Sequence, residues 1–407
     1  MSEISYDLLA QACAPGGASC LTSVTELVPA AGPYASVAPA KFALPDKRDK
    51  KSTYAYERRY LDGEARIAVL IDSKQSQLNR CEAALAQAVT DGHPVLSRMP
   101  RIVVSYDRDG FVEEYSDLTL PHRVFDGHIR AGTVDGQPVT QLDAYRAIRN
   151  ASPANARALL DASPVSLIFG CWDSSRSARQ GRWRSALTGE IVGFCADDRP
   201  ASKGGARVDP VGMQVLLGEA DLKAQANRQR SELSAKNYKK TMDAAAASAK
   251  AKGKPVSASM LGLGGIPPSL EALAGVACQP VIRSHVLSFA TLRQIRFGAG
   301  PDGDAACRAL LAALALNALA RSDSELYLRA NCDLRERGPA AVEIDQRGGG
   351  RLSLEPLCIE AADTLLSEAL TEAERVAEVS WAGPTLRVMG DPAIVAGAVA
   401  EDENGVS

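Results

Sequence analysis

The sequence predicts an α+β fold organised around an antiparallel sheet, and three observations lead there. ARIAVLI (65–71) is an apolar, β-branched run of strand length that feeds directly into DSKQSQLNRCEAALAQAVTDG (72–92). In that second piece Leu78, Cys81, Leu85 and Val89 recur at helical spacing before Gly92 and Pro94 stop the helix. RIVVSYD (101–107) and FVEEYS (111–116) flank Arg108-Asp109-Gly110, a hairpin signal. Strands, helices and hairpins then mix without the regular βαβα alternation of a doubly wound sheet.

The elements follow in chain order. Residues 10–45 are rich in Ala, Gly, Pro and Ser, and Pro15, Pro29, Pro33, Pro39 and Pro45 forbid a long helix, so an extended or loop-rich start is expected. Basic residues then alternate with Tyr54, Tyr56 and Tyr60. After the first strand, helix and hairpin, short helices are predicted over 121–131, 140–149 and 153–162, and strands over 165–172 and 190–196. Strands at 281–297 and 325–332, a helix at about 303–321, a strand at 340–345 and a helix at about 359–378 complete the pattern. The expected division is a leading segment (1–64), the first part of the core (65–200), a basic insertion (201–260), the rest of the core (261–400) and a tail (401–407). No repeat of fixed period is visible.

The chain has 407 residues, is 46% apolar and carries a formal net charge of -3, which excludes a disordered chain and argues against a uniformly basic one. Placing the charges changes that reading. Windows 41–66, 172–184 and 223–254 carry +3, +3 and +7, so the remainder carries -16, of which -9 lies in 355–407. Basic patches on an acidic body suit contact with a polyanion. The 223–254 window holds nine basic residues, and its apolar positions are mostly Ala, so it has little to bury. It is expected to project from the core, partly flexible, and to order against something acidic. The nine cysteines are scattered and form no C-x-x-C pair, which reads as reduced thiols without a zinc site. The acidic MSEISYD start lacks a signal peptide's basic region, and the apolar run at 309–320, in an amphipathic context, is too short to span a bilayer. A cytoplasmic protein without a membrane partner is expected.

Four stretches bear on chemistry. Ser73, Lys74, Gln75, Ser76, Asn79 and Arg80 lie where a strand ends and a helix begins. There, free N–H groups and the helix dipole favour an anion, so the stretch is either a phosphate-binding edge or a plain N-cap and polar helix face. In LPHRVFDGHIR (120–130), His122 and Asp126 share a helix face if a helix forms, and Arg123 and Arg130 share another. That arrangement suits phosphate contact or structural hydrogen bonding better than catalysis. Trp172, Arg176, Arg182 and Arg184 interleave aromatic and cationic groups after a strand, as base stacking and phosphate contact require, or else close the edge of the core. Gly262, Gly264 and Gly265 lack the preceding strand and following Lys-Ser/Thr of a nucleotide loop and read first as a turn. No G-x-S-x-G or HExxH motif and no cofactor motif is present.

The order IDSKQSQLNR (71–80), LPHRVFDGHIR (120–130), FGCWDSSR (169–176), RWRSALTGEIVGF (182–194) and LGLGGIPPS (261–269) resembles the RAMP-type backbone subunit of the type I-U (I-G) CRISPR Cascade complex. The resemblance covers roughly 65–300. It implies an RRM-like, ferredoxin-type core with large insertions, in which 201–260 is thumb-like, and copies arranged head to tail along a guide RNA. The other implied partners are target DNA, through the guide, and the remaining Cascade subunits of an antiviral ribonucleoprotein. It also implies RNA contact through the residues named above, Gly262, Gly264 and Gly265 included, and through Lys236, Lys239 and Lys240 in the basic insertion. Such a subunit binds without cutting and needs no cofactor or metal. Two other readings stay open: a metal-dependent RNA endonuclease using Asp72, His122 and Asp126, and a scaffold that contacts only proteins.

Overall fold

A computed structural model describes residues 2–43, 52–108, 110–177, 181–199, 202–251 and 253–398. They divide into two compact units, one formed by Met1–Asp198 with Gly275–Val395 and one built around Arg199–Ala274. The basic run at 46–51, Asp109, Arg179, Lys252 and the 401–407 tail lie outside the described residues.

The class is α+β. Two larger sheets of the first unit are built from thirteen strands. These are β1 (Cys20–Pro29), β2 (Tyr56–Leu61), β3 (Glu64–Asp72), β4 (Arg101–Arg108), β5 (Phe111–Ser116), β6 (Thr133–Val134), β7 (Gln137–Pro138), β8 (Leu187–Cys195), β9 (Cys278–Ser288), β10 (Leu334–Glu336), β11 (Ala341–Asp345), β12 (Arg351–Leu354) and β13 (Pro384–Met389). The main sheet is antiparallel throughout, in the order β12-β11-β1-β9-β8-β3-β2, with β10 also pairing β1. The second runs β5-β4-β13-β6-β7, and β4 and β13 are its parallel pair.

The helices are α1 (Tyr6–Cys13), α2 (Lys74–Thr90), α3 (Pro164–Phe169), α4 (Glu219–Arg228), α5 (Ala235–Lys250), α6 (Gly300–Ser324) and α7 (Ile359–Ala377), besides shorter ones. Strands β1, β8, β9 and β11 lie in the order β11-β1-β9-β8, with α2 between the first two in sequence and α6 between the last two. This is a split β-α-β connectivity. The hairpin β2-β3 extends the sheet beyond β8, so that β3 delivers the chain into α2 beside the sheet's edge.

Four expectations are corrected. The start, expected to be extended or loop-rich over 10–45, is extended at β1, which the short helix α1 precedes, but as an interior strand of the main sheet. Its inward positions are Leu21, Ser23, Thr25 and Leu27, while Val24 is 39% exposed, so two buried polar residues and one exposed apolar residue erase the alternation that marks a strand. Where the sequence predicts a strand over 165–172, α3 occupies most of the segment, with Pro164 in its first turn and all six helix residues buried. A helix buried all round has no polar face, and over six residues its run cannot be told from a buried strand. Residues 325–332 form no strand, because β10 and β11 already take the neighbouring edge of β1. The expected strand over 281–297 stops at Ser288, whose side chain caps a short helix.

Helix α6 is also not amphipathic. It is long and apolar enough to cross a membrane by length and composition, yet 94% of its most apolar window is buried inside the fold. It packs against α1, α2, α3 and α7 and forms the centre of the main core. Asn317 on α6 donates to Asp363 Oδ1 on α7 at 2.7 Å, and Arg321 Nη2 and His93 Nε2 also reach that carboxylate.

The second unit has a small core of Leu222, Ala226, Ala245, Ala258 and Leu261. Helices α4 and α5 pack together through it, Arg230 stacks 4.5 Å from the Tyr238 ring centroid, and Tyr238 donates to Asn227.

Candidate nucleic-acid interface

A cleft of about 960 Å³ opens in the first unit where the start of α2, the 118–123 loop and the 169–188 segment meet. It collects Lys74, Gln75 and Asn79 from the first predicted stretch, His122 and Arg123 from the second, and Trp172 and Arg182 from the third. These segments are far apart in sequence. Their convergence follows from β3 ending beside β8, and from Arg123, which ties its loop to the other two walls.

The helix start has features that favour an anion. The Ser73 hydroxyl caps α2 by accepting from Ser76 N, and the first turn carries no acidic residue. Lys74, Gln75 and Asn79 are exposed on this end, which carries the positive pole of the helix dipole. Lys74 also faces Glu190, whose carboxyl is held below its usual range first by the hydrogen bond from Arg59, then by the Arg59 and Lys74 charges. A second hollow of about 260 Å³ continues from this end past Ser73, Arg59 and Glu190.

The arginines divide into two kinds. Arg123 is committed inside: its Nε and Nη2 donate to both Glu82 carboxylate oxygens at 2.5 and 2.7 Å, and Nη1 donates to Gly170 O at 2.8 Å. Burial pushes the Glu82 carboxyl up, and the Arg123 hydrogen bonds and charge oppose it without cancelling it. Gly170 has φ +79°, and a Cβ there would lie 2.7 Å from Trp183 O and 2.9 Å from Ser185 N, so this wall requires a glycine. Arg80 is likewise committed, donating to Asp72 Oδ2 at 3.1 Å and to the Tyr327 and Leu328 carbonyls. Arg176 donates to Arg149 O and Asn150 Oδ1, and Arg130 to Ser175 Oγ.

Arg182, Arg184 and Lys74 are exposed and pair with no carboxylate within ion-pair distance among the described residues. Arg182 lies 5.2 Å from the ring centroid of Trp172, which is 49% exposed. The pair offers a cation beside an open aromatic face. A two-residue ladder, Cys171–Trp172 with Arg182–Trp183, fixes both, and Trp183 is buried beneath. Arg182 and Arg184 also line a further hollow of about 500 Å³ with Ser288, Thr291 and Gln294.

Lys236, Lys239 and Lys240 are exposed on α5, and Gly262, Gly264 and Gly265 form a turn in the same second unit. Gly262 and Gly264 have φ of +75° and +96°. Gly264 N donates to Asp209 Oδ2 at 2.9 Å, and Gly265 N donates to Met213 O at 3.0 Å.

Asp72, His122 and Asp126 do not assemble. Asp72 is fully buried and accepts from Gln77 at 2.6 Å, from Arg80 and from Arg329; burial would raise its carboxyl, but those bonds and charges hold it below the usual range. Asp126 caps the short helix Gly127–Ala131 by accepting from His128 N and also accepts from His122 N, both at 2.9 Å. His122 therefore stands before that helix and not on a face of it. Among the described residues no group of three or more His, Cys, Asp or Glu side chains is arranged to hold a metal ion.

Sequence reasoning missed Glu82 and Arg329, the partners that decide which arginines are free. Glu82 reads as one more polar helix residue, and Arg329 is 257 residues from the carboxylate it meets, so no local signal marks either.

Residues 21–198 match the family model described as CRISPR-associated protein GSU0053. The match covers less than half of the chain and contains every residue lining the 960 Å³ cleft, so this segment is similar to a CRISPR-associated protein family. No curated protein matches the chain.

Proposed function

We propose that the protein is a non-catalytic guide-RNA-binding backbone subunit of a type I-U (I-G) Cascade complex. The observation that carries this reading is the convergence of Lys74, Gln75, Asn79, His122, Trp172 and Arg182 on one open cleft inside the family-matched segment. A subunit that holds any guide must grip phosphate and 2′-hydroxyl groups and leave base edges free for pairing. Amide, hydroxyl and cationic groups beside a helix N-terminus supply that chemistry, and Trp172 supplies a stacking face that tolerates any base. The split β-α-β connectivity supports the RRM-like description of the core. Asp72 is taken up by Gln77, Arg80 and Arg329, and Asp126 by the backbone N–H groups of His122 and His128, so the carboxylates that the endonuclease reading needs already have structural partners.

In this reading successive copies lie head to tail along the guide in the cytoplasm, target DNA is reached through the guide, and other Cascade subunits are further partners. A heterologous contact of that kind gives an open helical filament.

The test is a binding titration of labelled, guide-length single-stranded RNA across salt concentrations. The reading expects log affinity to fall linearly with log salt, at about 0.7 per phosphate contacted, with little dependence on sequence. Equal affinity at low and high salt would overturn it.

A further inference from the structure

Cys195 ends β8 and Cys278 begins β9, and the two face each other as the last ladder pair before the chain departs for residues 199–274. Their sulfurs are 3.7 Å apart, although the residues are 83 apart in sequence. An antiparallel pair sets its Cα atoms about 4.5–5.5 Å apart, within the span a disulfide bridges. Gly193 makes the room: a Cβ there would lie 2.6 Å from Cys278 Sγ. Cys278 is buried and Cys195 is half-buried, so an oxidant meets Cys195 first.

We propose that Cys195 and Cys278 are a redox-active dithiol whose reversible disulfide clasps the two strands from which residues 199–274 extend. The Cys195 thiol is held below its usual range by the hydrogen bond it shares with Cys278, against burial, while Cys278 is raised, so the accessible sulfur is the more readily ionised. Burial instead raises the thiols of Cys13, Cys81, Cys171, Cys307 and Cys332.

The oxidant is a hydroperoxide. The Cys195 thiolate attacks its terminal oxygen, an S–O bond forms as the O–O bond breaks, and the alcohol or water leaves with a proton. Cys278 then attacks the Cys195 sulfenic acid: the S–S bond forms, the S–O bond breaks, and hydroxide leaves as water with the Cys278 proton. Two electrons pass from the thiols to the peroxide, and a dithiol reductant reverses the change.

The test treats the folded full chain with hydrogen peroxide, blocks remaining thiols with iodoacetamide and maps the peptides by mass spectrometry. Exposed Cys358 serves as the internal gauge that peroxide has acted. The expected result is loss of alkylation at both Cys195 and Cys278, a peptide joining them, and full recovery with dithiothreitol. In C278S, dimedone should trap a sulfenic acid at Cys195. Full alkylation of both cysteines after Cys358 is oxidised, or Cys278 joined to neighbouring Cys332, would overturn the proposal. The wild-type map decides even if the variant does not fold.

Discussion

Replacing Arg123 by Ala separates the two kinds of arginine in the cleft. The change deletes three donors, two of them to Glu82, whose side chain is 6% exposed. Breaking a buried pair from one side leaves an uncompensated carboxylate and costs about 3–5 kcal/mol. The loss should depend on pH, with a definite sign. Glu82 already has a raised carboxyl pKa, and removing the guanidinium removes what lowers it. Between the ordinary carboxylate value and that raised value the folded state holds a proton that the unfolded state lacks, so stability rises as pH falls through it. The deficit of R123A should therefore be largest near pH 8 and shrink towards pH 5, and E82Q introduced into R123A should recover part of it. Urea unfolding followed by tryptophan fluorescence is a suitable assay, because Trp172, Trp183 and Trp381 all lie in the first unit. A deficit below about 1 kcal/mol, or one equal at pH 5 and pH 8, would refute the assignment of Arg123 as a structural group.

Exposed Arg182 predicts the opposite pattern: R182A should keep the unfolding midpoint and reduce the RNA salt slope by about one phosphate contact, measured by the same salt titration. W172A should weaken single-stranded RNA by about 1–3 kcal/mol with little sequence preference, as read by fluorescence anisotropy. Asp117 is fully buried, and burial pushes its carboxyl up to about 7. Its contribution to stability is therefore present below the ordinary carboxylate range and is lost as pH rises through about 7, so D117N should flatten that decline in unfolding measurements at several pH values. Leu314, buried in α6, should cost about 2–5 kcal/mol when replaced by Ala, read as a lower urea midpoint.

The parts of the fold legible in the sequence are those whose burial is one-sided. Leu78, Cys81 and Leu85 announce α2 because its other face is wet, and Asp109-Gly110 announces the β4-β5 hairpin. Interior elements are harder, because β1 buries Ser23 and Thr25 and α3 buries every side chain, so neither displays its period. The candidate site follows the same division. Ser73, Lys74, Asn79, Trp172 and Arg182 stand in local patterns that already suggest an anion and an aromatic face. The commitment of Arg80 and Arg123 to buried carboxylates, and of Arg176 to Arg149 O and Asn150, depends on tertiary pairing and has no local trace.

Ultraviolet cross-linking of bound guide-length RNA, with the modified peptides identified by mass spectrometry, tests the central claim most directly. The account predicts nucleotide adducts within 73–80, 118–123 and 172–188, with the strongest at Trp172, lost together when Arg182 and Lys74 are both changed to Ala. RNA that binds but cross-links only outside these three segments, or adducts that persist unchanged in the double variant, would contradict it.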